Sequence, residues 1–335
     1  MNHEILYLDG PDVDRAGASM ALAIESVEEV LALHEKGEVN LPPKSVLDMD
    51  ERKHGRINAM AAYVGGSLRM CGIKWIAGFP NNPQRHGIPR ANALTILNDP
   101  DTGLPLCIMD GTRISALRTG AVTGVGARYL ARGASSRVGL IGAGVQARTQ
   151  LEALALILPA LREVVVYDIR REAADRLQAD CRALFPRLGV RSARSAEEAV
   201  RGADVVVTAT VADEPIVKDA WLEPGVFFSH VGSYQEEEEA VVLHADKVVV
   251  DIWEEVLHRG TPLLARMFRQ GTIGAQRIWA NIGAIILGKK AGRERDEERI
   301  FFSPLGLGSE DIAVATRIYR KAAEAGVGTR LPFRV

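Results

Sequence analysis

Short apolar runs alternate with helical patterns of apolar residues between residues 138 and 251. Most of these runs are hydrophobic throughout, as expected for strands that are buried on both faces of a parallel sheet. Strands that alternate with helices at this spacing predict a doubly wound parallel sheet. The predicted strands cover residues 138–141, 164–167, 190–193, 205–210, 226–231 and 247–251, and the predicted helices lie near 145–157, 171–184 and 196–201.

A different pattern fills the N-terminal third of the chain. Apolar residues recur at helical spacing from Met20 to Leu31, and Gly37 ends that helix. Short apolar runs separated by glycine, proline and asparagine follow, and turn formers at 98–103 join the last two runs into a hairpin. Strands joined by short turns predict an antiparallel sheet. The predicted strands are 4–8, 46–49, 57–63, 71–76, 91–97 and 105–110.

Two more helices complete the pattern. The helix predicted over 114–130 is rich in alanine, glycine and threonine, which suits close packing and a connection between two domains. An amphipathic helix predicted over 311–325 ends the chain and is expected to return to the first domain. The fold class predicted is therefore α/β: a Rossmann doubly wound parallel sheet plus a mainly antiparallel α+β domain.

The strand predicted at 138–141 leads into a glycine turn. Gly142, Gly144 and Ala147 form the dinucleotide fingerprint G-x-G-x-x-A. Gly142 permits the tight turn, Gly144 lets a pyrophosphate approach the backbone, and Ala147 lets the next helix pack closely. The N-terminus of that helix offers free N–H groups to the phosphates.

Asp168 ends the next predicted strand, twenty-six residues after Gly142. A carboxylate at this place accepts hydrogen bonds from an adenosine ribose and repels a 2′-phosphate, so the sequence favours NAD over NADP. Two observations keep alternatives open. Aspartate is also a common helix N-cap, and Arg170 and Arg171 would tolerate the extra phosphate of NADP.

Cations on apolar segments are the candidate chemistry outside the fingerprint. Lys74 lies in mid-strand, Arg118 lies in the helix predicted from 114, and Lys44 follows a pair of prolines. Lysine and arginine can bind the carboxylate of an anionic substrate. Snorkelling or a structural salt bridge would explain the same residues, and both interpretations stay open.

The composition of the chain indicates which binding partners and which cellular compartment to expect. The 41 Lys and Arg residues nearly balance 43 Asp and Glu residues, which indicates neither a nucleic-acid nor a membrane partner. The three cysteines show neither metal nor disulfide spacing, none of the seven histidines has metal-like spacing, and no signal peptide is evident, which together favour the cytoplasm. The acidic run 236–239 is interpreted as a solvated face or a helix start.

Five segments form a combination that is more specific than the fingerprint alone. They are 72–76, 79–83 with Gly87 and Pro89, 117–121, the fingerprint at 142–147, and Gly306 with Glu310 and Asp311. In these segments the chain resembles the ornithine cyclodeaminase/mu-crystallin family, over nearly its full length. The resemblance implies a homodimer with an NAD-binding Rossmann domain of residues 116–309. Residues 1–115 with 310–335 would form the substrate-binding and dimerisation domain.

The resemblance also implies roles for individual residues. Lys44, Lys74 and Arg118 match the positions that bind the substrate carboxylate, and Lys74 is further expected to handle the proton. Residues 208–210 match a strand end near the adenosine, and Gly232 with Ser233 matches the loop beside the nicotinamide. The cofactor-binding residues expected are Arg118, Thr119, Gly142, Gly144, Val145, Gln146, Asp168, Thr208, Thr210 and Ser233.

One departure concerns the ornithine-cyclising members, which resemble one another in an aspartate after a Val-Gly-Gly stretch. Tyr234 stands at that place here. A phenol is a poor base at neutral pH, so ornithine cyclisation and alanine dehydrogenation are both disfavoured. The pair Lys74 and Trp75 and the segment 87–93 instead resemble dehydrogenases that make 2,3-diaminopropionate. Arg90 would then bind the extra carboxylates of the substrate, unless it is an ordinary surface residue.

The function expected is NAD-dependent oxidation of N-(2-amino-2-carboxyethyl)-L-glutamate, with hydrolysis of the imine to 2-oxoglutarate and 2,3-diaminopropionate. The alternatives within the family are an ornithine cyclodeaminase, which forms proline and ammonia, and a ketimine reductase or alanine dehydrogenase. An alternative of another class is a nucleotide-dependent ligand-binding protein similar to mu-crystallin.

Overall fold

The computed structural model describes residues 2–49 and 55–334. In chain order, its first elements are β1 (Asn2–Leu8), α1 (Gly10–Arg15), α2 (Met20–Glu35), β2 (Val39–Asn40), β3 (Ser45–Asp48), β4 (Arg56–Val64), β5 (Met70–Gly78), α3 (Asn82–Arg85), β6 (Ala91–Asn98), β7 (Pro105–Asp110) and α4 (Thr112–Leu130). The next are β8 (Arg137–Ile141), α5 (Val145–Ile157), β9 (Glu163–Tyr167), α6 (Arg171–Leu184), β10 (Gly189–Ser192), α7 (Ala196–Val200), β11 (Val205–Thr208) and β12 (Phe227–His230). The last are α8 (Glu239–Leu243), β13 (Lys247–Val250), α9 (Trp253–Arg259), α10 (Leu263–Arg269), β14 (Ile278–Asn281), α11 (Ile282–Ile286), β15 (Ile300–Ser303), α12 (Gly308–Ala325) and β16 (Thr329–Arg334).

The chain divides into two compact units. The first comprises the chain up to Arg118 and from Gly306 onward, and the second runs from Thr119 to Leu305. No helix among the described residues is long and apolar enough to cross a membrane.

The first unit is built on an eight-stranded sheet. Its order is β16-β1-β7-β6-β5-β4-β2, with β3 also paired to β4. Among the described residues, only the β1–β7 pair of this sheet is parallel, so the mainly antiparallel sheet predicted for this region is confirmed. The hairpin predicted around 98–103 joins β6 to β7.

The two faces of this sheet differ in what covers them. Helix α12 packs on β4, β5 and β6 and also contacts α2. Apolar residues of α12 such as Ile312 and Ile318 are fully buried there. On the opposite face, Ala59, Trp75 and Leu94 stand beside one another in register on β4, β5 and β6. Trp75 is 41% exposed and Leu94 is 46% exposed, so that face is an open apolar surface in the single chain.

The second unit contains the predicted doubly wound sheet. All of its strands are parallel, in the order β10-β9-β8-β11-β12-β15-β13-β14. The strand order reverses between β8 and β11, which makes the carboxyl ends of these two strands the usual place for a nucleotide. The valines of β9, β11 and β13 are fully buried, as the continuous apolar runs predict.

Helix α4 runs through the boundary between the two units, and its small residues do permit close packing. A Cβ on Gly126 would come within 2.6 Å of the ring of Phe302 on β15. The close packing expected for this small-residue helix is therefore observed in the second unit.

Candidate functional site

Lys74 lies at the centre of β5, paired with Met60 on β4 and Thr95 on β6. Its side chain is 1% exposed, so it does not snorkel to the surface. The Nζ atom donates to Oδ2 of Asp311 at 2.5 Å and to Oγ of Ser115 at 3.3 Å. A buried ammonium group requires such partners, because desolvation without them is very costly.

Arg118 joins the same cluster from α4. Its Nη1 atom lies 3.3 Å from Oε2 of Glu310, and its Nε atom lies 3.3 Å from Oδ2 of Asp311. Gly306 makes room for the guanidinium, since a Cβ at this residue would collide with it. Its φ of +82° also favours glycine.

The two carboxylates of the cluster come from the first turn of α12. Glu310 and Asp311 are 0% exposed. Oε2 of Glu310 also accepts a hydrogen bond from the backbone N–H of Leu307 at 3.2 Å. A Cβ on Gly308 would lie 3.0 Å from the carbonyl oxygen of Met60, so the beginning of the helix rests directly on β4. This close approach allows Asp311 to reach Lys74.

The cluster holds two cations and two carboxylates, of which three are fully buried and Arg118 is mostly buried. Burial, and next the charge of Arg118, lower the pKa of Lys74 to about 8, although Asp311 and Glu310 act to raise it. Burial also disfavours the charge of Arg118, but Asp311 and Glu310 outweigh it and raise the pKa of the guanidinium. A lysine with a pKa near 8 can both accept and donate a proton near neutral pH.

The other two predicted substrate cations lie beside other strands of the first unit. Lys44 is half-buried just ahead of β3. The next residue, Ser45, pairs with Ala59, the neighbour of Met60, so the register brings Lys44 towards the cross-strand partner of Lys74. Arg90 is exposed, immediately ahead of β6. It is five residues along the chain from Thr95, the cross-strand partner of Lys74, a span of about 17 Å in an extended strand. The structure thus joins Lys74 to Arg118 and leaves Arg90 apart from them.

The fingerprint has the geometry that its residues predict. Gly142 follows β8 with a φ of +98°, and a Cβ there would come within 2.7 Å of the carbonyl oxygen of Ala209. Gly144 is the N-cap of α5, and a Cβ at this residue would meet no atom within 4 Å. Val145 is 73% exposed, whereas Ala147 is fully buried. The beginning of α5 is therefore open to a ligand that approaches the backbone of Gly144.

Asp168 follows β9 at the same edge of the sheet. Its carboxylate accepts hydrogen bonds from the backbone N–H of Ala143 at 2.9 Å and of Arg170 at 2.8 Å. It is not the N-cap of α6, because Arg170 occupies that position. The carboxylate is thus tied to the fingerprint turn, and an ionised carboxylate retains acceptor capacity beyond two bonds.

The remaining predicted cofactor residues flank this edge. Thr208 ends β11, is fully buried, and its hydroxyl has no hydrogen-bond partner among the described residues. The N–H of Thr210 donates to Glu236 at 2.5 Å, and Oγ of Ser233 accepts from Nη2 of Arg259 at 2.7 Å. Since β8, β11 and β12 are neighbours, Thr208, Thr210 and Ser233 lie at the same sheet edge as the fingerprint.

Two glutamines of α5 make hydrogen bonds beside the fingerprint, one within this helix and one to α4. Oε1 of Gln146 accepts from Oγ1 of Thr149 at 3.3 Å. Nε2 of Gln150 donates to the carbonyl oxygen of Thr119 at 3.1 Å. The open backbone at Gly144, the carboxylate of Asp168 and the unpartnered hydroxyl of Thr208 together fit a dinucleotide at this edge.

Comparison with known proteins assigns the chain to a family. The model of the ornithine cyclodeaminase/mu-crystallin family matches residues 12–326. The chain belongs to the ornithine cyclodeaminase/mu-crystallin family.

Two relatives and one solved structure are similar to the chain over almost all of its length. The alanine dehydrogenase of Archaeoglobus fulgidus is 40% identical over 333 residues, which cover 98% of this chain and 99% of the relative. The N-((2S)-2-amino-2-carboxyethyl)-L-glutamate dehydrogenase of Staphylococcus aureus is 33% identical over 335 residues, with 99% of both chains covered. The solved structure of an archaeal alanine dehydrogenase dimer with bound NAD superimposes with a TM-score of 0.89 at 37% identity, and covers 99% of this chain and 100% of that one.

The structure corrects the prediction for the acidic run 236–239. The interpretation as a solvated face is wrong for Glu236 and Glu237, which are 0% exposed. The helix start is confirmed, because α8 begins at Glu239. Nδ1 of His230 lies 3.0 Å from Glu237. Burial opposes protonation of His230, but Glu237, followed by Glu236, raises the pKa of this imidazole to about 9.

Tyr234 stands at the place where an aspartate is expected in an ornithine-cyclising enzyme. It is half-buried in the irregular segment between β12 and α8. Ser233 precedes it and is tied to Arg259. Tyr234 therefore lies in a loop, directly after a residue that is expected to contact the cofactor.

Sequence reasoning missed roles for Asp311, Glu236, Glu237 and His230. Asp311 had a detectable signal, because Asp311, Ala315, Ile318 and Ala322 share one helical stripe and the other three are apolar. A carboxylate on an apolar stripe is expected to be buried against a cation. No comparable signal marks Glu236 or Glu237, whose burial depends on the loop conformation after β12.

Proposed function

We propose that this chain is an NAD-dependent oxidoreductase that acts on the Cα–N bond of an amino or imino acid. The candidate substrate is N-(2-amino-2-carboxyethyl)-L-glutamate. Loss of a hydride from Cα and of a proton from nitrogen forms a C=N bond. Water adds to that carbon, and cleavage of the C–N bond gives 2-oxoglutarate and 2,3-diaminopropionate. NAD, when bound, supplies the hydride acceptor.

The buried cluster of Lys74, Asp311 and Arg118 is the observation that carries the proposal. The guanidinium of Arg118 is suited to bind the substrate carboxylate, and holding that group fixes the position of Cα. Lys74 takes the proton from the substrate nitrogen and later assists the attacking water, roles for which its pKa of about 8 is suitable. Asp311 fixes the position of Nζ through their 2.5 Å contact.

We propose that the second unit binds NAD in preference to NADP. Gly144 and the beginning of α5 would bind the pyrophosphate. Asp168 would accept hydrogen bonds from the adenosine ribose and repel a 2′-phosphate. A solved relative that superimposes over the whole chain contains NAD, which supports this assignment.

Alanine dehydrogenation is a second candidate, because the Archaeoglobus fulgidus relative is 40% identical over nearly the full chain. The position of Arg90 bears on the choice. The tricarboxylate substrate was expected to use Arg90, and this residue is exposed and distant from the cross-strand partner of Lys74. The lysine and arginine cluster suits either substrate, since both carry an α-carboxylate.

We also propose that two copies of the chain associate through the apolar face of the first sheet. That face carries Trp75 and Leu94, both large and about half exposed. Contiguous exposed apolar residues of this kind mark association surfaces. The archaeal alanine dehydrogenase is described as a dimer, which supports the same assembly here.

The test is an assay of NAD reduction by absorbance. Purified protein is incubated with NAD and, separately, N-(2-amino-2-carboxyethyl)-L-glutamate, L-alanine and L-ornithine, and products are identified by mass spectrometry. Reduction of NAD with formation of 2-oxoglutarate and 2,3-diaminopropionate is expected with the first substrate. Reduction with L-alanine and formation of pyruvate would instead establish the second candidate.

Variants separate catalysis from binding. Lys74→Met is expected to lower turnover at least about 100-fold, the usual contribution of an acid–base group, while NADH still binds. Lys321→Met, at an exposed residue of α12, is the matched control and is expected to retain activity. Retained turnover in Lys74→Met would contradict the role of Lys74. NADH binding without reaction on any substrate would favour a binding protein similar to mu-crystallin.

A further inference from the structure

A buried carboxylate joins the carboxyl ends of two adjacent strands in the second unit. Glu236 is 0% exposed and lies in the segment between β12 and α8. Its Oε1 atom accepts from the N–H of Thr210 at 2.5 Å, and its Oε2 atom accepts from the N–H of Gly232 at 3.0 Å. Thr210 follows β11 and Gly232 follows β12, so one side chain holds both loop backbones.

The backbone around Gly232 is shaped to this carboxylate. A Cβ at Gly232 would collide with the side chain of Glu236. The φ angle of Gly232 is not positive, so other residue types could adopt its backbone conformation. The space next to Glu236, rather than backbone strain, is therefore what glycine provides here.

Neighbouring groups hold the segment that carries Glu236. The backbone carbonyl of Glu236 accepts from the N–H groups of Ile216 at 2.8 Å and Val217 at 3.0 Å. The next residue, Glu237, lies 3.0 Å from Nδ1 of His230, the last residue of β12. Because the segment is fixed on both sides, the carboxylate of Glu236 has a defined position from which to hold the two loops.

We propose that Glu236 is a positioning residue that sets the distance between the loops after β11 and β12, and so shapes the cofactor-binding edge. This inference rests on the proposed function, and Thr210 and Ser233 are among the residues expected to contact the dinucleotide. A carboxylate can accept both N–H groups at once, one on each oxygen. A glutamine presents one acceptor and one NH₂ donor, and the donor would oppose one of the two N–H groups.

The test measures NADH affinity by calorimetric titration of the full-length protein and two variants. Glu236→Gln is expected to weaken NADH binding at least about tenfold, the factor for loss of one hydrogen bond to a charged group. Glu223→Gln is the matched control. Glu223 is exposed and precedes β12, at the opposite edge of the sheet, so its NADH affinity is expected to stay within about twofold of the wild type.

Thermal melts and a second variant separate positioning from loss of folding. A purely structural role would lower the melting temperature while folded protein bound NADH as tightly as the wild type. Unchanged affinity in folded Glu236→Gln would therefore refute the inference. If that variant does not melt cooperatively, Glu236→Asp is judged by the same criterion, because its shorter side chain keeps the charge but cannot span both N–H groups. If the wild type itself binds no NADH, the proposed function and this inference both fail.

Discussion

Replacing Asp311 with asparagine tests how the buried cluster controls the proton on Lys74. The substitution preserves side-chain shape and removes one negative charge that lies 2.5 Å from Nζ. Asp311 acts to raise the pKa of Lys74, against burial and the charge of Arg118. Without it, the two lowering effects meet less opposition, so the pKa of Lys74 is expected to fall below its value of about 8.

The size of the fall follows from the contact distance. Two unit charges 2.5 Å apart attract by about 7 kcal/mol at an effective dielectric constant of 20, which sets an upper limit. Rearrangement of hydrogen bonds reduces the effect, and close opposite charges typically shift a pKa by about 1–3 units, or about 1.4–4 kcal/mol. Asp311→Asn is therefore expected to bring the pKa of Lys74 to between about 5 and 7.

Carbon NMR of protein labelled at lysine Cε measures this pKa directly. The signal of Lys74 is identified by its loss in Lys74→Met. Its titration midpoint is expected near 8 in the wild type and at least about one unit lower in Asp311→Asn. Asp101→Asn is the matched control, because Asp101 pairs with Arg69 on the exposed surface of the same unit. An unchanged or higher midpoint in Asp311→Asn would refute the electrostatic account of the cluster.

Three further predictions concern the pH dependence of the reaction, the buried His230 and the exposed Trp75. The kcat/KM for substrate oxidation is expected to rise with pH and level off above about pH 8, because Lys74 accepts a proton only in its neutral form, and a profile without this step would contradict that role. The pKa of His230 is raised from 6.5 to about 9, so its pairing stabilises the fold fully below pH 6.5 and this stabilisation is lost as the pH rises through 9. The difference in melting temperature between wild type and His230→Gln should therefore shrink from pH 6 to pH 9.5, and a constant difference would count against the pairing. Trp75→Glu is expected to shift the protein from dimer to monomer in sedimentation velocity, and a dimer that persists would place the interface elsewhere.

The doubly wound sheet was predictable because its strands are buried on both faces. The valines of β9, β11 and β13 form apolar runs that no surface strand would carry. Helices α5 and α6 begin and end where the pattern predicts, at 145–157 and 171–184. In these parts of the chain, the local pattern of apolar residues is enough to predict both the element and its burial.

Other elements of the second sheet were not predictable in this way. Strands β14 and β15 have four residues each and lie among turns and short helices. Strand β15 lies between β12 and β13, although it follows both of them in the chain. Its place in the sheet depends on contacts such as Phe228 with Phe301, whose rings are 5.5 Å apart. A four-residue run gives too little periodicity to show such a partner.

The candidate site was predictable in its cations more than in its anions. Lys74 and Arg118 interrupt apolar segments, so the sequence itself indicates that these two cations are buried. Asp311 is 237 residues away from Lys74 along the chain, and its position in the first turn of a helix is one in which acidic residues are ordinarily exposed. Its partner becomes evident only when α12 packs on β5.

Two glycines show a feature common to both units. A Cβ at Gly306 would occupy the place of the Arg118 guanidinium, and a Cβ at Gly232 would occupy the place of the Glu236 carboxylate. In each case the glycine stands beside a charge that is mostly or fully buried. Ionic groups inside a protein need close polar partners, and a glycine allows the backbone to come near enough to provide them. The space beside the charge therefore explains Gly232, and at Gly306 it adds to the requirement set by the positive φ. Substitution of Gly232 by alanine should disturb the carboxylate of Glu236 rather than strain the backbone.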